Sequence, residues 1–184
     1  MASWFVRPAA AVAAAALYEA IVVRARDPSF YTAHGVPDTT DGRFDMIALH
    51  AFFVLRRLKH EHAGLAQTLF DHMFADMDRS LREMGVGDLS VGRRVKEMAA
   101  AFYGRVAAYD AALDRPRENG DVALLDAIAR NIYRQIPPAA QNPAAMAGYV
   151  RRAVAALEDV SDAALARGEV DFGEPIGPGE TADD

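Results

Sequence analysis

The histidines and aspartates near the middle of the chain have the residue types of a metal site. His60 and His62 lie two positions apart. On a helix such positions point about 200° apart, so the two imidazoles cannot easily meet one ion. Further candidate ligands follow at His72, Asp71, Asp76 and Asp78. Carboxylates are hard oxygen ligands, so a helical metal-binding protein or enzyme stays open as one alternative, and solvated helix charges are the other.

Nucleophilic catalysis has weaker support in the sequence. There is no cysteine, which excludes disulfides, thiolate catalysis and cysteine-ligated metals. There is also no Gly-x-Ser-x-Gly elbow. Helix capping explains the serines at predicted helix ends, which are Ser29, Ser80, Ser90 and Ser161. We predict His50 as a core or boundary histidine with its hydrogen bonds satisfied, and we assign no role to His34. The sequence therefore gives little support for an enzyme that uses a side-chain nucleophile.

A dense mixture of apolar and charged side chains runs from Phe70 to Asp88 and is interrupted by Gly85-Val86-Gly87. Methionines among charges suit contact with another protein better than turnover of a small molecule. The predicted partner-binding residues of this stretch are Asp71, Met73, Phe74, Asp76, Met77, Asp78, Arg79 and Arg82. The alternative is a central helix whose methionines and phenylalanines are buried on two sides.

Three basic clusters lie near predicted helix ends. Arg56-Arg57-x-Lys59 and Arg79-x-x-Arg82 come close to helix C-termini, where the helix dipole favours cations. A third cluster lies in a first turn, where the dipole disfavours cations, and consists of Arg93, Arg94 and Lys96. We add these three residues to the predicted partner-binding set, as contacts for carboxylates of a partner or for anionic lipid headgroups. A plain solvated face is the alternative.

The net charge of -6 is confined to one end of the chain. Residues 168–184 carry six of the 26 acidic residues and no Lys or Arg, so the remaining 20 acidic residues balance the 20 basic ones. A neutral body argues against nucleic-acid binding, which needs clustered positive charge. We predict one helical domain over 1–167, followed by an acidic tail over 168–184 that is flexible or loosely docked.

Periodicity and punctuation predict an all-α fold, a single-domain bundle of about six helices. The predicted helices cover about 8–26, 43–59, 61–84, 88–113, 121–135 and 143–167. Residues 29–40 are predicted as a loop, Asp41 as a cap, and the second to fourth helices as the centre. The first helix is apolar from Ala9 to Val23 but is interrupted by Glu19. It is too short and too polar to span a bilayer, so we predict an amphipathic helix rather than a signal sequence.

Three long ungapped motifs resemble the ubiquinol–cytochrome c chaperone family, in its shorter alphaproteobacterial form. The resemblance covers about residues 20–160. Its motifs are Phe30-Tyr31-x-x-x-Gly35-Val36-Pro37-Asp38-Thr39-x-Asp41-Gly42-Arg43-Phe44-Asp45, Leu69-Phe70-Asp71-x-Met73-Phe74-x-Asp76-Met77-Asp78-x-x-Leu81-Arg82-Glu83-Met84-Gly85-Val86-Gly87-Asp88 and Val91-Gly92-Arg93-Arg94-Val95-Lys96-x-Met98-x-x-x-Phe102-Tyr103-Gly104-Arg105.

The resemblance implies an assembly factor for the cytochrome bc complex, respiratory complex III, with no cofactor and no catalytic residue. The implied partner is cytochrome b or an early assembly intermediate, together with a small partner protein in mitochondrial relatives. The implied location is the cytoplasm, at the inner face of the cytoplasmic membrane. A peripheral membrane adaptor that uses the first helix and the basic clusters is a further alternative. We also expect Arg43, Asp45 and Asp78 to form internal ion pairs.

Overall fold

The chain folds as an all-α bundle in a computed structural model that describes residues 8–59, 61–134, 136–137 and 141–174. Within those ranges there are no strands, and the helices are α1 (Pro8–Ala25), α2 (Pro28–Thr32), α3 (Thr40–Leu58), α4 (Ala63–Glu83), α5 (Asp88–Leu113), α6 (Arg117–Asn131), α7 (Pro143–Glu158) and α8 (Asp162–Ala166). Six of these have 15 residues or more, and α2 and α8 have five each. The predicted fold class and the six long helices are confirmed.

Helix α3 forms the centre of the bundle. It packs against α1, α4, α5 and α7. Because neighbours lie on several sides, its apolar side chains are buried well beyond a single stripe, and Phe52 and Phe53 are each 1% exposed. A helix that is apolar on most sides is stable only where other helices cover it, so α3 holds the bundle together.

Helix α4 has apolar residues at a regular spacing. Leu65, Leu69, Met73, Met77 and Leu81 recur every four residues, and all five are buried. The helix packs between α1 and α5 and also contacts α3. Residues four apart lie one above the other on a helix, so this spacing directs one row of side chains into the core.

Several helix ends differ from the sequence prediction. Part of the predicted loop 29–40 is helix α2, because Asp27 caps it and Pro28 occupies its first position. Helix α3 is capped by Thr39 rather than Asp41, with Gly42 N donating to Thr39 Oγ1 at 3.1 Å. Helix α6 begins four residues earlier than predicted, at Arg117.

The predicted last helix is two helices. Asn142 caps α7 as expected, since its side chain accepts from Ala145 N at 3.3 Å. The chain then leaves the helix after Glu158, and Ser161 Oγ accepts from Ala164 N at 3.2 Å to begin α8. A serine that can cap a new helix offers the backbone an alternative to continuing the old one.

The first residues after α8 lie against the bundle. Phe172 is 3% exposed, and its ring lies edge-on to His50 with 5.3 Å between centroids. Gly168 has φ +84°, and a Cβ there would lie 2.6 Å from Ala16 Cβ. The packed body therefore extends through Phe172. Residues 175–184 of the predicted tail lie outside the described residues, so its flexibility stays a prediction.

We expect Gly42→Ala to destabilise the protein by about 1–3 kcal/mol, as overpacking does. A Cβ at Gly42 would lie 2.0 Å from the carbonyl oxygen of Pro37, so the loop before α3 would have to move. Urea unfolding measures the loss. The matched control is Gly64→Ala in α4, where no atom lies within 4 Å of an added Cβ. That control should be neutral or stabilising, because Ala is the better helix former. Equal stability of the two variants would contradict the expectation.

Candidate functional site

An open groove of about 1010 Å³ lies between α1, α3, α4 and α5. Its apolar lining includes Val22, Phe44, Ile47, Met77, Leu81 and Met98. Its basic lining is Arg26, Arg43, Arg93, Arg94, Arg105 and Arg134, and its acidic lining is Asp41, Asp76 and Glu97. An apolar floor with charged walls can hold a segment that has both kinds of side chain.

A tight turn places two of the arginines beside the groove. Gly85 has φ +83° and follows the last residues of α4. Val86 N donates to Leu81 O at 3.0 Å, which closes the helix end in the way that a left-handed glycine allows. The chain then enters α5 after Gly87. The first turns of α5 therefore lie next to the last turns of α4, with Arg93 and Arg94 on the groove wall.

One acidic group of the groove is held by two neighbours. Tyr18 Oη donates to Asp76 Oδ2 at 2.9 Å, and Arg79 donates to the other oxygen of that carboxylate. Partial burial opposes ionisation of Asp76, but the hydrogen bonds from Arg79 and Tyr18 outweigh it, so the pKa of Asp76 is lowered. Asp76 therefore stays ionised and already has its partners within the chain.

A buried ion-pair network lies beside the groove. Asp45 is 2% exposed and accepts from Arg105 Nη2 at 2.6 Å and from Arg134. Arg134 also lies 3.6 Å from Asp41, and the Arg105 guanidinium lies 5.6 Å from the centroid of the Phe44 ring. This network joins the start of α3 to α5 and to the residues after α6.

Three arginines of the groove have no ion pair among the residues that the structure describes. They are Arg26, Arg93 and Arg94, all exposed. In contrast, Arg43 pairs with Asp38 at 2.7 Å, and Arg105 and Arg134 pair with Asp45. In the described part of the chain, Arg93 and Arg94 of the third basic cluster therefore line the groove without an ion pair, and they lie in the second turn of α5 rather than in its first turn as predicted.

The other charged residues of the predicted set lie on the surface outside the groove. Asp71 accepts from Gln67 Nε2 at 2.8 Å. Arg82 pairs with Asp78 at 2.7 Å and also with Asp88. Lys96 is exposed and does not line the groove. The expected internal ion pairs of Arg43, Asp45 and Asp78 are present.

The apolar members of the predicted set need a correction. Met73 is 1% exposed and Phe74 is 8% exposed, and both belong to the core between α1, α3, α4 and α5. A partner could reach them only if helices separated, so the alternative of a central helix buried on two sides describes them. Met77 is 7% exposed and is the one of the three that also lines the groove.

The residues proposed for a metal site are not brought together. His72 contacts Tyr18, with 5.4 Å between ring centroids, while His62 Nε2 lies 3.2 Å from Asp162 Oδ1. His60 lies outside the described residues. Glu61, His62 and Asp162 do form a close group, but Arg57 Nη2 donates to Asp162 Oδ1 at 2.7 Å. The guanidinium neutralises this carboxylate, so an ion-pair cluster explains the group.

Sequence reasoning missed the groove residues on α1 and α3. Arg26 follows the last residue of α1, and Phe44 and Ile47 lie near the start of α3. Phe44 and Ile47 are partly exposed. The one available signal was that Arg26 follows an apolar segment of the sequence, and it was not specific.

The first helix is apolar on more than one side. Leu17 and Ile21 are both 0% exposed and pack in the core, whereas Val12 and Val23 are 70% and 68% exposed. The adaptor alternative that relied on this helix stays a prediction. None of the described helices has the length and apolar character needed to cross a bilayer.

The fold and the groove define an all-helical protein with an open binding surface of mixed apolar and charged character. The chain belongs to the ubiquinol-cytochrome C chaperone family, whose model matches residues 32–172. The family predicted from the motifs is thereby confirmed. Helix α1, which carries Tyr18 and is followed by Arg26, lies before the matched residues.

Two relatives support the assignment. The chain is 25% identical over 163 residues to ubiquinol-cytochrome-c reductase complex assembly factor 1 of Xenopus laevis, covering 86% of this chain and 80% of that protein. It is 41% identical to the Cbp3 homolog from Brucella abortus, whose crystal structure superposes with a TM-score of 0.77 over 90% of this chain and 91% of that one.

Proposed function

We propose that this protein is an assembly chaperone for ubiquinol–cytochrome c reductase and that it acts by binding, without catalysis. Its family and the assembly-factor name of its Xenopus laevis relative support the complex as the target. We further propose that it holds cytochrome b, or an early intermediate that contains it, at the inner face of the cytoplasmic membrane. The groove between α1, α3, α4 and α5 is the proposed contact surface.

The observation that carries the binding part of this proposal is the groove itself. Its floor keeps apolar side chains such as Phe44 and Met98 partly exposed, and its walls carry Arg93 and Arg94 without ion pairs. Exposed apolar surface costs free energy in water, and cations without counter-charges keep their full field. An immature subunit that covers the groove would remove the apolar side chains from water and would bring counter-charges to the arginines. The charged residues Asp71, Asp78, Arg79 and Arg82 lie outside the groove and are proposed as secondary contacts, whereas Lys96 is not part of the proposed contact surface.

We expect deletion of the gene in its source organism to lower both assembled complex III and spectroscopic b-type haem, and we expect the wild-type gene to restore both. The physical reason is that a membrane subunit whose apolar surface is not covered aggregates or is degraded. Native gels and difference spectra measure the two quantities. Normal amounts of both in the deletion strain would reject the proposal.

A photocrosslinking amino acid at position 94 tests the finer part of the same proposal. It should capture cytochrome b in cells, as shown by an antibody or by peptide sequencing of the product. Position 122 on α6 is the matched control, because Val122 is 61% exposed and does not line the groove. Capture of cytochrome b from position 122 alone would contradict the groove as the contact surface.

A further inference from the structure

The charges of the groove are not balanced, and the imbalance points to the chemistry of its occupant. Three arginines of the lining have no ion pair in the described part of the chain, namely Arg26, Arg93 and Arg94. Among the acidic lining residues, Asp76 and Asp41 have arginine partners, which leaves only Glu97. An excess of cations in a partly enclosed groove raises the local concentration of anionic groups.

The unpaired cations lie on two different walls. Arg26 is at the C-terminal end of α1, whereas Arg93 and Arg94 are in the first turns of α5. Helix α4 packs between these two helices and contributes Met77, Leu81 and the 59% exposed Met84 to the lining. The apolar floor of the groove therefore lies between one wall that carries Arg26 and a second wall that carries Arg93 and Arg94.

We infer that the groove binds an amphipathic protein segment whose apolar stripe is flanked on both sides by carboxylates. This inference rests on the proposed function and names the kind of client segment that the groove takes. Apolar side chains at helical spacing would contact the floor, and flanking Asp or Glu side chains would pair with Arg26 on one wall and with Arg93 and Arg94 on the other.

The shape of the surface favours a protein segment over a bilayer. The apolar side chains that line the site are on the floor of a concave surface, and a flat lipid interface cannot follow it. A helix with side chains projecting at i, i+3, i+4 and i+7 can enter such a groove. Anionic headgroups could neutralise the arginines but would leave Phe44 and Ile47 uncovered.

The test uses the full chain and two labelled model helices of about 16 residues, long enough to be partly helical alone. Both have leucines at i, i+3, i+4 and i+7, and the flanking positions are Glu in one peptide and Lys in the other. Fluorescence anisotropy should show at least about tenfold tighter binding of the Glu peptide. Raising the salt from about 50 to about 300 mM should weaken it, since exposed charges are screened.

Charge reversal gives the decisive comparison. The double variant Arg93→Glu/Arg94→Glu should bind the Glu peptide at least about tenfold more weakly and should bind the Lys peptide more tightly than the wild type does. Lys96→Glu is the matched control on the same helix, because Lys96 is exposed but outside the groove. It should change either affinity by less than about twofold. Circular dichroism and urea unfolding confirm that each variant is folded.

Several results would overturn the inference. These are equal affinity for the two peptides, an unchanged affinity in the double variant, or an equal loss in Lys96→Glu. Binding of phosphatidylglycerol vesicles without binding of the Glu peptide would also overturn it, because the arginines would then serve a membrane. Failure of the proposed function is distinguishable: the deletion strain would then assemble complex III normally. If the deletion strain fails but the double variant restores assembly fully, only the inference about the groove is lost.

Discussion

Asp45→Asn is expected to lower the free energy of unfolding by about 3–5 kcal/mol, the usual cost of removing one partner of a buried ion pair. Asp45 is 2% exposed, and the side chain of Arg105 is 11% exposed. Without the carboxylate, the charge of Arg105 stays in a site that water hardly reaches. Arg134 is 32% exposed and can turn toward solvent, so Arg105 carries most of the loss. Urea unfolding of the purified protein measures it.

A matched control shows whether the loss of stability depends on the burial of the ion pair or follows from breaking any ion pair. Asp78 also accepts from an arginine, Arg82 at 2.7 Å, but the two side chains are 37% and 48% exposed. Asp78→Asn should therefore cost less than about 1 kcal/mol. A double variant, Asp45→Leu with Arg105→Met, removes both buried charges and should be more stable than Asp45→Asn. If the two single variants lose the same stability, burial does not set the cost.

The second large effect is the pH dependence that His50 imposes. His50 is 0% exposed and is surrounded by aromatic rings. Its Nδ1 donates to Met46 O at 2.8 Å, and its Nε2 accepts from Tyr149 Oη at 2.7 Å, so the neutral ring satisfies both nitrogens. Burial lowers the pKa of His50 to about 4, from an ordinary value near 6.5.

The direction of the effect follows from proton binding. Between pH 6.5 and about 4 the unfolded chain takes up a proton on His50 that the folded protein excludes. Proton binding to His50 therefore does not reduce the free energy of unfolding above about pH 6.5. As the pH falls toward 4, it reduces that free energy by roughly 3 kcal/mol. Urea unfolding at several pH values should show a smaller acid loss in His50→Gln than in the wild type.

The comparison needs a histidine without this environment. His72 is exposed on α4, so His72→Gln changes a surface imidazole and leaves the buried ring in place. The loss of stability of this variant between neutral pH and about pH 4 should stay close to that of the wild type, because the buried ring is unchanged. Equal pH dependence of all three proteins would show that the buried ring does not control acid stability. Protonation of carboxylates at low pH lowers the stability of all three proteins alike, so this contribution cancels when the proteins are compared.

Local signals in the sequence predicted the elements well. Asn142-Pro143 starts α7 and Gly85 ends α4, because a cap or a left-handed glycine acts through hydrogen bonds within a few residues. Where two local signals compete, the prediction was wrong. Thr39 rather than Asp41 caps α3, and Ser161 divides the predicted last helix. Either residue type can cap, and the packing of the loop before α3 selects between the two.

Helical spacing did not by itself indicate burial. The four-residue spacing of α4 puts Leu69 and Met73 on one face and both are buried, although we predicted Met73 for the partner-binding surface. Phe44 and Ile47 lie three residues apart on α3, and both are partly exposed at the groove. Periodicity indicates which residues share a face of a helix, but it does not indicate where along the helix its neighbours end.

The sequence alone thus determined the all-helical class, the six long helices, the family and the position of Arg93 and Arg94 near the start of α5. Only the tertiary structure decided that these arginines share a groove with Arg26, which lies more than 60 residues earlier. It also decided that Met73 and Phe74 are core rather than contact surface. The physical reason is that capping and periodicity act within a few turns of one helix, whereas exposure depends on which distant helices cover a side chain.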